Sequence, residues 1–231
     1  MTDLRTEAVP LVDGGTLRLT VAEPVGAVRG GIVVLHEARG VTDAVRGLVH
    51  NLAAEGWLAV APHLYHRDGA DELDGDDGQV QQQVDKLDGE QVMTDTDTAF
   101  DWLAEHDIST DRMGVIGFDL GGTVALLVAT ERTLGAAVSV AGESLTEAPS
   151  AALPSLIDAA PGLTCPWLGL YGETADGESP EIKRLRDAAA SSEVAANVVV
   201  YPSSGHRFDN DPAAAADAWQ RTLSWFDSHL R

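Results

Sequence analysis

Gly117-Phe118-Asp119-Leu120-Gly121-Gly122 lies between an apolar run, Met113 to Phe118, and an alanine- and valine-rich segment, Thr123 to Thr130. The order reads as strand, sharp turn and helix. Glycines two residues before and two residues after a central residue let the backbone reverse tightly and push that residue's side chain out at the C-terminal end of the strand. The central residue is an aspartate, Asp119. Other glycine-rich turns fit poorly. No Lys-Ser/Thr pair follows the glycines as a P-loop requires, and the spacing is not that of a dinucleotide-binding turn. An acidic tip would also repel phosphate.

Working outward from this turn, Gly31 to Leu35, Trp57 to Ala61, Ala136 to Ala141, Pro166 to Tyr171 and Asn197 to Tyr201 are short continuous apolar runs. Such runs suit strands covered by helices on both faces. Thr16 to Ala22 alternates instead, and reads as a half-exposed strand near an edge. Helical spacing appears at Asp43 to Glu55, at about Thr94 to His106 and at Glu181 to Ala190. It appears again after Asp211-Pro212, where Trp219, Leu223, Phe226 and Leu230 share a face. Between 67 and 90 the pattern dissolves into acidic, glycine-rich sequence, expected as an irregular surface insertion that is either disordered or a lid. Strands alternating with helices imply one α/β domain over 1–231, a doubly wound, mostly parallel sheet.

Composition limits the function. The chain has 231 residues, 44% of them hydrophobic, enough to bury a full core. A net charge of −22, from 37 acids against 15 bases, argues against nucleic acid and against an anionic membrane surface. The single cysteine, Cys165, precedes Pro166 and an apolar run and reads as a buried small hydrophobe. The N-terminus has no apolar signal region, and no stretch is long enough to span a membrane, so a cytoplasmic location is expected. His36, His63, His66, Glu37 and Asp119 could be imagined around a metal. No pair has the i, i+4 helical spacing of a zinc protease, and neither metal nor cofactor is expected. The five tryptophans occupy core-like positions. The expected partner is a small-molecule substrate, and the protein is expected as a monomer or homodimer.

In an α/β-hydrolase, the residue at a nucleophile elbow is followed in the chain by an acid after one later strand and a histidine after the next. Asp176 lies beyond the strand ending at Tyr171, and His206 beyond the strand ending at Tyr201. Glu173 is the rival acid, and Asp176 is preferred because its spacing to Pro180 suits a turn into a helix. Asp119, Asp176 and His206 thus form an ordered candidate triad.

Four motifs make the chain resemble the dienelactone hydrolase family along almost its whole length. They are His36-Glu-Ala-Arg-Gly40, Ala61-Pro-His-Leu-Tyr65, Gly117-Phe-Asp-Leu-Gly-Gly122 and Gly205-His-Arg-Phe208. The resemblance implies an α/β-hydrolase fold and hydrolysis of lactones or small esters. It places Asp119 where the family has a nucleophilic cysteine, with Asp176 and His206 as acid and base. It also implies that Glu37 contacts the nucleophile and that the backbone N–H groups of Ala38 and Leu120 form the oxyanion hole. Arg39 and His63 are the candidate substrate-binding residues. The chain departs from the family pattern at Asp119 itself and at His63, which stands where the family has an aspartate. Its acid loop is one residue longer before Asp176, and Asn210 meets the family's substrate-holding arginine.

A side-chain carboxylate of ordinary pKa, about 3.9, is ionised at neutral pH and needs no base to activate it. It suits displacement at a saturated carbon better than attack on an ester. Haloalkane dehalogenases, fluoroacetate dehalogenases and epoxide hydrolases resemble this chain in carrying an elbow aspartate. In that scheme Asp119 forms an alkyl ester, and His206, oriented by Asp176, activates the water that opens it. Alternatively Asp119 pairs with Glu37 as an acid/base couple. The remaining reading is an inactive relic that binds a small molecule.

Overall fold

The computed structural model describes residues 3–12, 14–148, 154–173, 177, 179–202, 205 and 208–231. Eight strands form one sheet: β1 (Leu4–Pro10), β2 (Thr16–Ala22), β3 (Gly31–Leu35), β4 (Leu58–Pro62), β5 (Met113–Phe118), β6 (Ala136–Val140), β7 (Trp167–Gly172) and β8 (Ala196–Tyr201). Their order is β1-β2-β4-β3-β5-β6-β7-β8. The pairs β1/β2 and β2/β4 are antiparallel, and the other pairs are parallel. The helices are α1 (Asp43–Ala54), α2 (Asp77–Val84), α3 (Gly89–Glu105), α4 (Leu120–Glu131), α5 (Leu156–Ala159), α6 (Pro180–Ala189) and α7 (Pro212–His229). This is an α/β-hydrolase architecture.

The unbroken apolar strands follow from two buried faces. In β3, Val33 and Leu35 join the core under α3, α4, α5 and α6, while Ile32 and Val34 join the core under α1 and α7. All five residues of β3 are buried. Full burial of a Val, Leu or Ile side chain is worth about 1.5–3 kcal/mol, so polar residues on either face would be costly.

Three expectations need correction. The segment β2 lies next to the edge strand, as expected, but is not half-exposed, because β1 covers its outer side and only Thr16 along it is exposed. The strand β1 escapes sequence reading because its exposure alternates without an apolar face, LRTEAVP. It is held instead by the sheet ladder and by Glu7, which pairs with Arg5 at 2.6 Å and accepts from Trp102 Nε1 at 3.0 Å. The helix expected from Thr94 starts at Gly89, capped by Asp88, whose carboxylate accepts from the N–H groups of Glu90 and Gln91. Its polar first turn hides it from an apolar-periodicity test. The 67–90 segment is not irregular throughout, because it contains α2. An Asp76/Gln79 capping box starts that helix, a signal the sequence does carry.

At the C-terminal edge of the sheet, backbone approaches backbone. A Cβ on Gly117 would lie 1.9 Å from the carbonyl oxygen of Gly121. One on Gly121 would lie 2.3 Å from that of Leu35, and one on Gly122 would lie 2.8 Å from that of Val140. The start of α4 is thereby seated directly on the ends of β3 and β6. The loops after β3 and β4 are tied by His36, which is fully buried. Its Nδ1–H donates to the Glu37 carbonyl at 2.7 Å, and its Nε2 accepts the Leu64 N–H at 3.3 Å. Tyr65 adds a hydroxyl bond to the Ala38 carbonyl at 2.7 Å.

Gly117→Ala is expected to destabilise the fold by about 3 kcal/mol or more, since rigid backbone cannot yield to the added methyl. Urea unfolding read by tryptophan fluorescence checks this, and a loss below about 1 kcal/mol would contradict the packing described. Burial pushes the His36 pKa down from 6.5 to about 4. Its neutral form is therefore the folded one, and the unfolded chain takes up the proton first as pH falls. Stability from this group is complete above about pH 6.5 and is lost towards pH 4, about 3 kcal/mol in all at ~1.4 kcal/mol per unit. Urea unfolding of the parent and of His36→Asn across this range should show the parent's advantage shrinking by that amount.

Candidate active site

The turn from β5 to α4 sets Asp119 at φ 48° and ψ −110°, a left-handed backbone position for a residue with a Cβ. Such a conformation costs about 1–3 kcal/mol and persists only where the surroundings enforce it. Here the enforcement is visible. The Asp119 N–H donates to the Val140 carbonyl at 2.9 Å, and its carbonyl accepts the Thr123 N–H at 3.0 Å. Its carboxylate makes no capping bond to α4, although it sits at the helix N-terminus, where the dipole favours negative charge. The side chain is half-buried.

Asp119 opens onto a cavity of about 330 Å³ that Glu37 also lines. Both carboxylates therefore border one space. The rest of its described wall comes from α1 (Ala44, Val45, Gly47, Leu48, Asn51) and from Phe118, Val140, Ala141 and Phe208. It is a mainly apolar slot with two acids in its wall. Among the described residues, the N–H groups of Ala38 and Leu120 have no protein acceptor. The Leu120 N–H belongs to the first residue of α4, where no intrahelical acceptor exists.

Asp176 and His206 lie outside the described residues. Arg39 and His63 are placed away from the described cavity wall. The Arg39 guanidinium donates to Asp77 Oδ1 at 2.7 Å and to the Gly75 carbonyl at 3.3 Å. His63 is buried, with Nδ1 at 2.5 Å from Asp71 Oδ1 and Nε2 at 2.8 Å from Thr20 Oγ1. Burial lowers its pKa against the opposing pull of Asp71. Both residues hold the acidic segment down. Arg18 pairs with Asp71 at 2.6 Å, and Arg46 pairs with Glu72 at 3.2 Å. The backbone adds Val41 N–H to Asp71 O and Leu73 N–H to Arg39 O, each at 2.9 Å. No residue of 67–90 is among the described residues lining the cavity, so this segment clasps the loop that bears Glu37 and Ala38.

Deeper in the fold, Asp95 is fully buried on α3. It takes a two-pronged bond from Arg67, at 2.6 and 2.9 Å, and one from His66 Nε2 at 3.0 Å. These contacts anchor the turn after β4, and sequence reading missed them because the partners lie 28 residues apart or more. Cys165 is buried, and burial pushes its thiol up to about 11, which leaves it protonated and unreactive. Among the described residues no group of three or more His, Cys, Asp or Glu side chains is arranged to hold a metal ion. Nor is any helix among them long and apolar enough to cross a membrane.

The chain matches the dienelactone hydrolase family over residues 17–230. A Yersinia pestis protein named "Putative carboxymethylenebutenolidase" is 34% identical over 208 residues, covering 86% of this chain and 78% of that protein. An Escherichia coli K12 protein of the same name is 33% identical over 209 residues, covering 86% and 76%. A Klebsiella pneumoniae crystal structure described as a "Putative Dienelactone Hydrolase" is 31% identical with a TM-score of 0.88, covering 98% of this chain and 99% of that one. The structural match covers nearly the full length of both chains. This chain belongs to the dienelactone hydrolase family and is a hydrolase of the α/β-hydrolase fold.

Proposed function

We propose that the protein hydrolyses a small organic substrate through Asp119 acting as the nucleophile, with displacement at a saturated carbon of an epoxide, halide or alkyl ester. The observation that carries this reading is the strained backbone of Asp119 at the apex of the turn. A non-glycine residue is held there at a conformational cost, and its side chain borders an apolar cavity. The packing of α4 on the sheet enforces this strain, and the conformation it imposes turns the side chain towards the cavity.

In the first step an Asp119 carboxylate oxygen forms a bond to the substrate carbon. The bond to the leaving oxygen or halogen breaks, and that group keeps the electron pair. The product is an alkyl ester on Asp119. In the second step water attacks the ester carbonyl, and the oxyanion that forms draws on the unclaimed N–H groups of Ala38 and Leu120. His206, oriented by Asp176, takes the proton of that water. This assignment rests on their order in the chain after β8 and β7 and on the family resemblance. Collapse releases the alcohol and restores the carboxylate with one oxygen from water. The apolar wall keeps bulk water away from the ester until it is opened.

A second reading is supported by the cavity that Asp119 shares with Glu37. In this reading Asp119 acts as a base on water attacking an ester or lactone directly.

One measurement separates them. After a single turnover in H₂¹⁸O with a panel of esters, lactones, epoxides and haloacids, the peptide carrying Asp119 is analysed by mass spectrometry. One ¹⁸O in Asp119, with Asp119→Asn slower by at least ~10³-fold, is the expected result. Turnover with the label only in the released product would transfer the role to the base mechanism. Absence of turnover across the panel would favour a binding protein.

A further inference from the structure

Helix α1 contains a glycine that its own packing does not require. Gly47 lies in the middle of Asp43–Ala54 and has no left-handed φ. A Cβ built on it would meet no heavy atom within 4 Å. Glycine weakens a helix interior relative to alanine, so a position open enough for a side chain, yet left bare, calls for another reason. The contrast with Gly117 and Gly121 is direct, because a Cβ on either would run into backbone atoms. Gly47 instead borders the cavity that contains Glu37 and Asp119.

The direction of α1 shows where that cavity leads. The helix leaves the C-terminal edge of the sheet after the β3 loop and runs back towards the start of β4. Ala44, Gly47, Leu48 and Asn51 lie along its cavity side. From 44 to 51 the helix advances about 10 Å at 1.5 Å per residue. The space thus extends from the Asp119 turn along α1, with Phe118, Val140 and Phe208 opposite. Asn51 is the lining residue of α1 farthest from that sheet edge. It is exposed, and its side-chain amide has no hydrogen bond among the described residues, so it stands at the open end of the slot.

We propose that this slot receives the apolar arm of an uncharged substrate, laid along α1 over Gly47, with a hydroxyl, keto or amide group at its far end bound by the Asn51 amide. The reading of Asp119 as the reacting group supplies only the identity of the attacked end. Gly47 sets the width of the slot, and Asn51 selects the distal polar group. An anionic arm is disfavoured because Glu37 and Asp119 line the same space, no Lys or Arg is among its described lining residues, and the chain carries a net charge of −22. The volume, about 330 Å³, is near the lower end of the ~300–1,000 Å³ of small-molecule sites and limits the arm to a short chain.

Amides resist hydrolysis, so binding can be read without turnover. Hexanamide, 6-hydroxyhexanamide and the monoamide of adipic acid are titrated against the protein by saturation-transfer NMR and calorimetry. The hydroxyl-tipped amide should bind about 3- to 10-fold tighter than the plain one, and the carboxylate-tipped one weakest. Gly47→Leu should weaken all binding by ~10-fold or more. Asn51→Leu should reverse the preference between the plain and hydroxyl-tipped amides. The proposal is overturned if Gly47→Leu binds like the parent, if Asn51→Leu leaves the preference intact, if the carboxylate binds tightest, or if no amide binds. Binding as expected alongside full turnover by Asp119→Asn would keep the subsite and remove Asp119 as nucleophile.

Discussion

The contact on which the site depends is backbone against backbone, where the first turn of α4 presses on the ends of β3, β5 and β6. At Gly117 and Gly121 the nearest atoms to a hypothetical Cβ are carbonyl oxygens at 1.9 and 2.3 Å. No side chain fits there, and the closeness leaves the chain one route from β5 into α4. That route passes through a left-handed conformation at Asp119. Strain at one residue is thus a consequence of tight packing around it, offset by the burial of the two apolar faces that hold the sheet and α4 together.

A second layer of structure positions the loop opposite. His36, neutral because it is fully buried, joins the Glu37 carbonyl to the Leu64 N–H. Tyr65 reaches the Ala38 carbonyl. The acidic segment then closes over the same loop, its Asp71, Glu72 and Asp77 pairing with Arg18, Arg46 and Arg39. Exposed ion pairs are each worth no more than about 1 kcal/mol, so the backbone bonds at Val41 and Leu73 supply the register and the charges supply orientation. The cavity that results is apolar with two carboxylates in its wall.

The sheet and the tight turn at Asp119 were legible in the residues because both are local properties. A strand buried on two faces needs an unbroken apolar run, as in GIVVL, and a tight turn needs glycine at fixed offsets. The family resemblance extended this to Glu37, Ala38 and Leu120, and the structure sets Glu37 and Asp119 on one cavity. The strand β1 was not legible, since its order comes from pairing with β2 and from Glu7 meeting Trp102 across 95 residues. The start of α3 and the helix α2 were hidden by polar first turns, although the Asp76/Gln79 capping pair was there to be read.

By itself, then, the sequence determined the alternation of strands and helices, the α/β-hydrolase class and the aspartate at the apex of the turn, because each follows from periodicity or from the steric freedom of glycine over a few residues. Only the tertiary structure decided which partners the charged and polar groups would meet. Arg39 and His63, expected at the substrate, are engaged by Asp77 and Asp71. Gly47, unremarkable in a helical pattern, borders open space beside Asp119. Charge pairing and cavity shape depend on which distant segments come together, and no local pattern encodes that.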